Sequence, residues 1–304
     1  MATKQGSLQL TIWLTTALVF ALIAGIFAVG MTIFEGSVSF VAAVAFSLVL
    51  LALQWYLGPV IVKWISSAKE IGEQQAPELH ATVAALASDA GIPKPKLYVV
   101  DNQTPNAFAF GRTQKSAGIA IHTGLLRVLD KEETKAVLAH EIGHIKHNDV
   151  AVMTLASVLP VMLYYVALAT LGRSDDDRPN PLAAFVGAII AQTIGQLVVL
   201  WLSRQREYYA DAHSAETMGD PMPLATALVK ITYGIPKDVS VNPAMSTLYI
   251  SSGGGVSQSI ADAVASGDRE TLLKAVESDK KGDGIFGALS THPSTAKRLK
   301  ALLS

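Results

Sequence analysis

Long uncharged stretches dominate the pattern of polar and apolar positions. Leu8 to Phe34 carries no charge before Glu35, and Val38 to Val62 runs uncharged up to Lys63. A third stretch covers Val150 to Leu171 and a fourth covers Leu182 to Leu202. Each meets the roughly 20 apolar residues that a helix needs to cross a bilayer. The first is longer than the apolar core of a signal peptide, about 7–15 residues, and a second span follows at once, so it is expected to persist as a span. Four transmembrane helices are predicted, as one hairpin within residues 1–65 (spans 8–34 and 38–62) and another within 150–202 (spans 150–171 and 182–202). Residues 66–149 and 203–304 are then two soluble parts.

Shorter periodicities organise those parts. Leu79, Val83, Leu86 and Ala90 form a helical stripe after Pro77, closed by Gly91. Leu97–Val100, Ala107–Phe110 and Gly118–Ile121 have the composition of short strands. Asp130 is placed to cap a helix beginning at Lys131, with Glu132 and Glu133 in its favourable first turn. Residues 203–304 read as mainly helical, interrupted by glycine-bearing loops at 252–255 and 280–284.

Composition sharpens this picture. Half of the 304 residues are hydrophobic (50 %) and only 16 % are charged, well below the roughly 25 % usual for soluble proteins, which excludes disorder. With no cysteine, disulfides, thiol catalysis, cysteine zinc sites and iron–sulfur clusters are excluded. A net charge of −1 provides no field for nucleic acid. Lys4, Lys63, Lys69, Lys146, Arg204 and Arg206 flank the spans on one side, whereas the other side has only Arg173 and Arg178 beside three aspartates. The excess of positive charge predicts that both termini and both soluble parts are cytoplasmic. Gln192 and Gln196, one turn apart in the fourth span, are expected mainly to face another helix, with a substrate path as the lesser alternative.

The chemistry is concentrated in His140-Glu141-Ile142-Gly143-His144. Histidines at i and i+4 share one helix face and can bind one metal ion from adjacent turns. Zinc suits imidazole and needs no thiolate. Glu141, next to the first ligand, is placed to take a proton from the water that zinc activates, whose pKa falls to about 7. A hydrolytic zinc site takes a third protein ligand and leaves a fourth position open. Glu207, in Ser203-Arg204-Gln205-Arg206-Glu207-Tyr208-Tyr209-Ala210-Asp211, is the candidate third ligand. Asp211, one turn on, can accept from the free ring nitrogen of a ligand histidine. The hairpin of the third and fourth spans would bring the two ligand helices side by side.

These two motifs, with Ile145-Lys146-His147-Asn148-Asp149 after the first, resemble the HtpX-like membrane metallopeptidases, gluzincin-type zinc proteases related to the CAAX prenyl endopeptidases. The resemblance implies His140, His144 and Glu207 as ligands of one Zn²⁺ per chain, Glu141 as base and Asp211 as support for a ligand histidine. It also implies polypeptide substrates, among them damaged or misassembled membrane proteins, a prokaryotic cytoplasmic membrane, and a link to stress. Asn106, Ala107 and Phe108, in Asn106–Gly111, resemble the edge strand along which a substrate lies. His292 and Arg298, in Thr291–Arg298, are candidate donors to the oxyanion.

The expected fold is thus a mainly α integral membrane protein, with four transmembrane helices and a cytoplasmic zincin-like metalloprotease unit containing a small β-sheet. The alternatives are a CAAX-type prenyl protease, disfavoured by the small number of spans, and a silent zinc-binding scaffold, disfavoured by the presence of Glu141. A transporter is disfavoured because no span contains a charge.

Overall fold

A computed structural model describes residues 40–171, 181–234, 250, 257–278, 290 and 292–304. The chain divides into two units, Met1–Leu48 and Val49–Ser304. The first is described only from Phe40, where a helix begins; the sheet, the core and the site all belong to the second. The span expected at 8–34, the connection at 173–179 and the loops at 252–255 and 280–284 lie outside the described residues.

The second apolar run forms helix α1 (Phe40–Ser66), with Pro59 inside it. The third is divided at Ser157 into α5 (Asp149–Ala156) and α6 (Val158–Leu171). The fourth opens α7 (Pro181–Met218), a helix of 38 residues that continues far past Leu202. Among the described residues one helix, Leu182–Met218, is long and apolar enough to cross a membrane by length and composition. Ala184 and Ala188 are buried on α7, and a Cβ at Gly195 would lie 2.8 Å from the Pro160 Cα of α6, so small residues let these helices approach closely. That phase leaves Gln192 and Gln196 exposed rather than set between the helices.

The elements between and beyond the apolar runs follow the predicted punctuation. Helix α2 (Pro77–Ala90) ends at Gly91, whose φ of 70° is left-handed and favours glycine. Strands β2 (Lys96–Val100), β3 (Ala107–Phe110) and β4 (Gly118–His122) are joined by a two-residue strand, β1 (Lys69–Glu70), which the residue pattern did not reveal. The sheet order is β1-β2-β4-β3, with β2 and β4 parallel and the outer pairs antiparallel. β3 is therefore an edge.

Alternation along the strands feeds two clusters. Leu97, Ile119 and Ile121 belong to the main core with Val83 and Leu86 of α2. That core also takes Val137, Leu138 and Ile142 of α4 (Lys131–Lys146). On the other face Tyr98, Phe108, Phe110 and Ala120 form a second cluster against Val62 of α1. A short helix, α3 (Thr123–Val128), precedes α4. Helix α4 starts in a capping box: Asp130 Oδ1 accepts from Glu133 N and Glu133 Oε2 from Asp130 N, both at 2.9 Å. The remaining helices, α8 (Met222–Gly234), α9 (Gln258–Ser266), α10 (Arg269–Ser278) and α11 (Thr295–Leu303), share a third apolar cluster.

Candidate metal centre

Helices α4 and α7 meet at Gly143. A Cβ there would stand 3.1 Å from the His213 ring and 3.2 Å from the Ala210 Cα, so a side chain here would press the two helices apart by a few tenths of an ångström. The close crossing brings Glu207 and Asp211 of α7 over the histidine face of α4. His140 Nε2 lies 3.7 Å from Glu207 Oε2, and His144 Nε2 lies 3.6 Å from Glu207 Oε1. His140, His144 and Glu207 each offer one ligand atom within 4.8 Å of the others, the arrangement needed to hold a metal ion.

Each histidine is steered from behind by a carboxylate. His140 Nδ1 is 3.0 Å from Asp211 Oδ1, and His144 Nδ1 is 2.6 Å from Asp149 Oδ2. When both Nδ1–H groups donate to carboxylates, both Nε2 atoms carry lone pairs. Those two nitrogens face one another at 3.1 Å, and in that tautomer both present lone pairs to the space between them. Two lone-pair nitrogens beside the Glu207 carboxylate form a donor set that fits a cation.

Asp149 is the partner that periodicity did not disclose. It follows a break in the helical path, where Asn148 adopts a left-handed φ of 55°, so its return to His144 depends on the turn rather than on helical spacing. Its only signal is its position just after the histidine motif. Arg206 pairs with Asp149 and also donates to the His147 carbonyl at 2.9 Å.

Arg298 closes the back of the site from α11. Its Nε donates to Asp211 Oδ2 at 2.8 Å, its Nη2 to Asp211 Oδ1 at 2.5 Å and its Nη1 to the Ile250 carbonyl at 2.6 Å. Nη1 also stands 3.1 Å from Glu207 Oε2. The residue is 1 % exposed and lies behind the ligands, whereas His292 lines the cleft and places Nδ1 3.2 Å from Glu207 Oε1. Of the two expected oxyanion donors, only His292 therefore borders the space a substrate would use. Helix α11 is capped by Ser294, whose side chain accepts from the Lys297 amide.

These contacts set the charges, all beyond the apolar part of α7. Burial pushes the Glu207 carboxyl up, but the positive charges of His292 and Arg298 outweigh it and hold the group well below the usual carboxylate range. Asp211 is likewise raised by burial, then brought below its ordinary value by the Arg298 charge and the hydrogen bond from His140. Arg298 loses affinity for its proton through burial and regains more from Asp211 and Glu207, so it stays charged.

Glu141 projects beside the histidines and accepts from the Ala109 amide at 2.7 Å, so the edge strand touches the candidate base. A cleft of about 500 Å³ contains His140, Glu141, His144 and Glu207 together with the backbone of Ala107 to Gly111. Ala107 and Phe108 bury their side chains in the two cores and leave the strand's outer edge towards this cleft. Asn106 is buried, and its Oδ1 accepts from the Ile250 amide at 3.0 Å.

The family model for peptidase family M48 matches residues 73–304, a stretch that includes the two histidines, the base and both α7 carboxylates. The chain belongs to that family. As an M48 peptidase it is a metalloprotease, and its curated relatives are named as proteases. It is 44 % identical to a protease HtpX homolog of Methanothermobacter thermautotrophicus over 225 residues, covering 74 % of this chain and 85 % of the relative. A protease HtpX homolog of Burkholderia cenocepacia is 34 % identical over 299 residues, 96 % of each chain. Among solved structures, the crystal structure of S. mikatae Ste24p shares the fold with a TM-score of 0.59 at 22 % identity, covering 94 % of this chain and 62 % of that one. The M48 fold here is thus mainly helical with a small mixed sheet.

Proposed function

We propose that this M48 peptidase is a zinc endopeptidase set in a prokaryotic cytoplasmic membrane by four transmembrane helices, which cuts damaged or misassembled membrane proteins at the cytoplasmic face. The observation that carries this reading is the convergence of His140, His144 and Glu207 next to Glu141 in one cleft. The donor set of two imidazoles and one carboxylate suits Zn²⁺. Bound there, the ion supplies Lewis acidity, polarising the scissile carbonyl and making water a stronger acid.

The chain's own residues do the rest. Asp211 and Asp149 fix the ring planes of His140 and His144 and keep the proton on each Nδ1. Glu141 accepts the proton of the attacking water, and as the C–N bond breaks it delivers that proton to the leaving amine. An extended substrate lies along β3 and takes main-chain hydrogen bonds from its outer edge. His292 borders the cleft on the Glu207 side and is the candidate donor to the developing oxyanion, while Arg298 positions Asp211 and Glu207 from behind. The apolar runs of α1, α5, α6 and α7 support the membrane setting, and the Lys and Arg bias at their ends supports a cytoplasmic site.

The test measures zinc content and casein cleavage together, in wild type and Glu141→Gln, with and without a chelator. The reading requires about one zinc per chain in both proteins, as a three-ligand site dictates, and chelator-sensitive cleavage in wild type alone. Folded protein without zinc would overturn it.

A further inference from the structure

The cleft continues beyond the metal centre, between α1 and α7, into the zone of the apolar runs. Its lining there includes Gln54 of α1 and Gln196 of α7, with Thr154 on α5 and Ser157 between α5 and α6. The two hydroxyls are spent on their own helices: Thr154 Oγ1 donates to the Val150 carbonyl and Ser157 Oγ to the Thr154 carbonyl, each at 2.7 Å. Gln54 and Gln196 are exposed, and neither amide has a hydrogen-bond partner among the described residues. A free carboxamide in an apolar stretch is costly to keep there without a partner.

The wall that carries Gln54 is anchored. Arg112, which also lines the cleft, donates to the Tyr56 carbonyl through Nε at 2.9 Å and Nη2 at 2.7 Å, and its guanidinium lies 4.5 Å from the centre of the Tyr56 ring. Val62, further along α1, packs on the Tyr98, Phe108 and Phe110 cluster. Gln54 is thereby fixed relative to β3, the strand whose Ala109 amide reaches Glu141.

We propose that Gln54 and Gln196 form a polar opening at the membrane end of the cleft, admitting an extended, uncharged segment of a membrane-embedded polypeptide towards Glu141. This deepens the membrane-protease reading and rests on it. The chemistry selects the occupant. A carboxamide offers one acceptor and two donors without charge, which matches a peptide group and neither an ion nor a phosphate headgroup. An extended backbone in hydrocarbon lacks partners for its N–H and C=O groups, and these two side chains provide them on the way to the edge strand. Gln192, one turn from Gln196 on the same helix, is exposed but does not line the cleft, so it provides an internal control.

The experiment places a photo-crosslinking amino acid at 54, 196 or 192 in the full chain carrying Glu141→Gln, reconstituted in vesicles. The probe is a purified single-span polypeptide whose span is weakened by glycine and proline. Adducts at 54 and 196, competed by unlabelled probe and about ten-fold weaker at 192, are expected from a site with two peptide-matched contacts. Equal adducts at all three positions, or none at 54 and 196, overturn the opening. Because this readout needs no cleavage, adducts with an inactive wild type would sink the protease reading and leave the opening standing. A second measurement compares the ratio of anchored-probe to casein cleavage. Gln54→Leu with Gln196→Leu should lower that ratio about ten-fold, the loss of one or two hydrogen bonds, whereas Gln192→Leu should not change it. An unchanged ratio in the double variant also overturns the proposal.

Discussion

Arg298 grips Asp211 with two nitrogens, at 2.8 Å and 2.5 Å, and the two side chains are 1 % and 3 % exposed. The pair joins the last helix of the chain to a carboxylate that contacts His140, a candidate metal ligand, on another. Removing one member of a buried pair leaves the other charge without compensation, which typically costs about 3–5 kcal/mol. Arg298→Leu should therefore lower stability by that order in chemical denaturation of the purified protein. Arg298→Lys should recover little of it, since an ammonium cannot make the two-point contact. Full stability in Arg298→Lys would show that charge alone suffices.

The two carboxylates behind the histidines make a separate prediction. Asp149→Asn and Asp211→Asn retain the shape of each side chain but lose the charge that holds Nδ1–H. Each should weaken zinc binding about 10–100-fold, the usual effect of losing such an outer partner. Competition with a fluorescent chelator measures this without any substrate. Wild-type affinity in Asp149→Asn would mean that the 2.6 Å contact to His144 is incidental.

Glu141→Gln should separate binding from turnover. The amide oxygen can still accept from Ala109 N, so the edge strand keeps its place. Zinc content should match wild type while peptide hydrolysis falls by at least about 10²-fold, as expected when a general base is removed.

Acid should loosen the fold in two stages. His122 is held neutral by burial, as are His147 and His213 with help from nearby cations, so their pKa values lie below the ordinary 6.5. Their contribution to stability is complete above 6.5 and is lost as pH falls through the lower folded values. Glu207 and Asp211, below their ordinary 4.5 and 3.8, contribute in full above those values and lose that contribution as pH falls further. Denaturation midpoints of chelated protein should decline from pH 7.5 to 5, and more steeply under pH 4.5. A flat profile would count against the buried histidines.

Gly143→Val tests the crossing of α4 and α7. A branched side chain would press on Ala210 Cα and the His213 ring, which stand at 3.2 and 3.1 Å from a Cβ. Overpacking of this kind costs about 1–3 kcal/mol and moves the helices apart. Glu207 should then no longer reach the histidines, and zinc content after dialysis should fall with the denaturation midpoint.

Which parts were legible in the sequence follows from how each part is specified. His140 and His144, like Glu207 and Asp211, obey helical spacing, so the faces that converge in the candidate site could be read from residue order alone. Strand β3 and helix α2 were also bounded by local signals, and both form where those signals lie. Asp149 escaped because a left-handed residue stands between it and the helix it serves. Lys230 donates to Glu133 at 2.8 Å, a pairing between helices distant in sequence that no local spacing announces. Arg298 was recognisable as a candidate, but whether its guanidinium faces the cleft or the core depends on how α11 docks. Depth is a property of packing and leaves no periodic trace.

Helix α7 has one more consequence. Gln196, Glu207 and Asp211 share a single uninterrupted helix of 38 residues. Each residue inserted or deleted between them would rotate everything beyond it by about 100° about the axis, and shift it about 1.5 Å along it. One deletion near Leu202 would turn Glu207 away from both histidines while leaving every side chain unchanged in kind. The segment from the cleft wall to Glu207 is therefore held to a fixed count of residues, like teeth on a gear, and tolerance for length changes must be sought elsewhere in the chain.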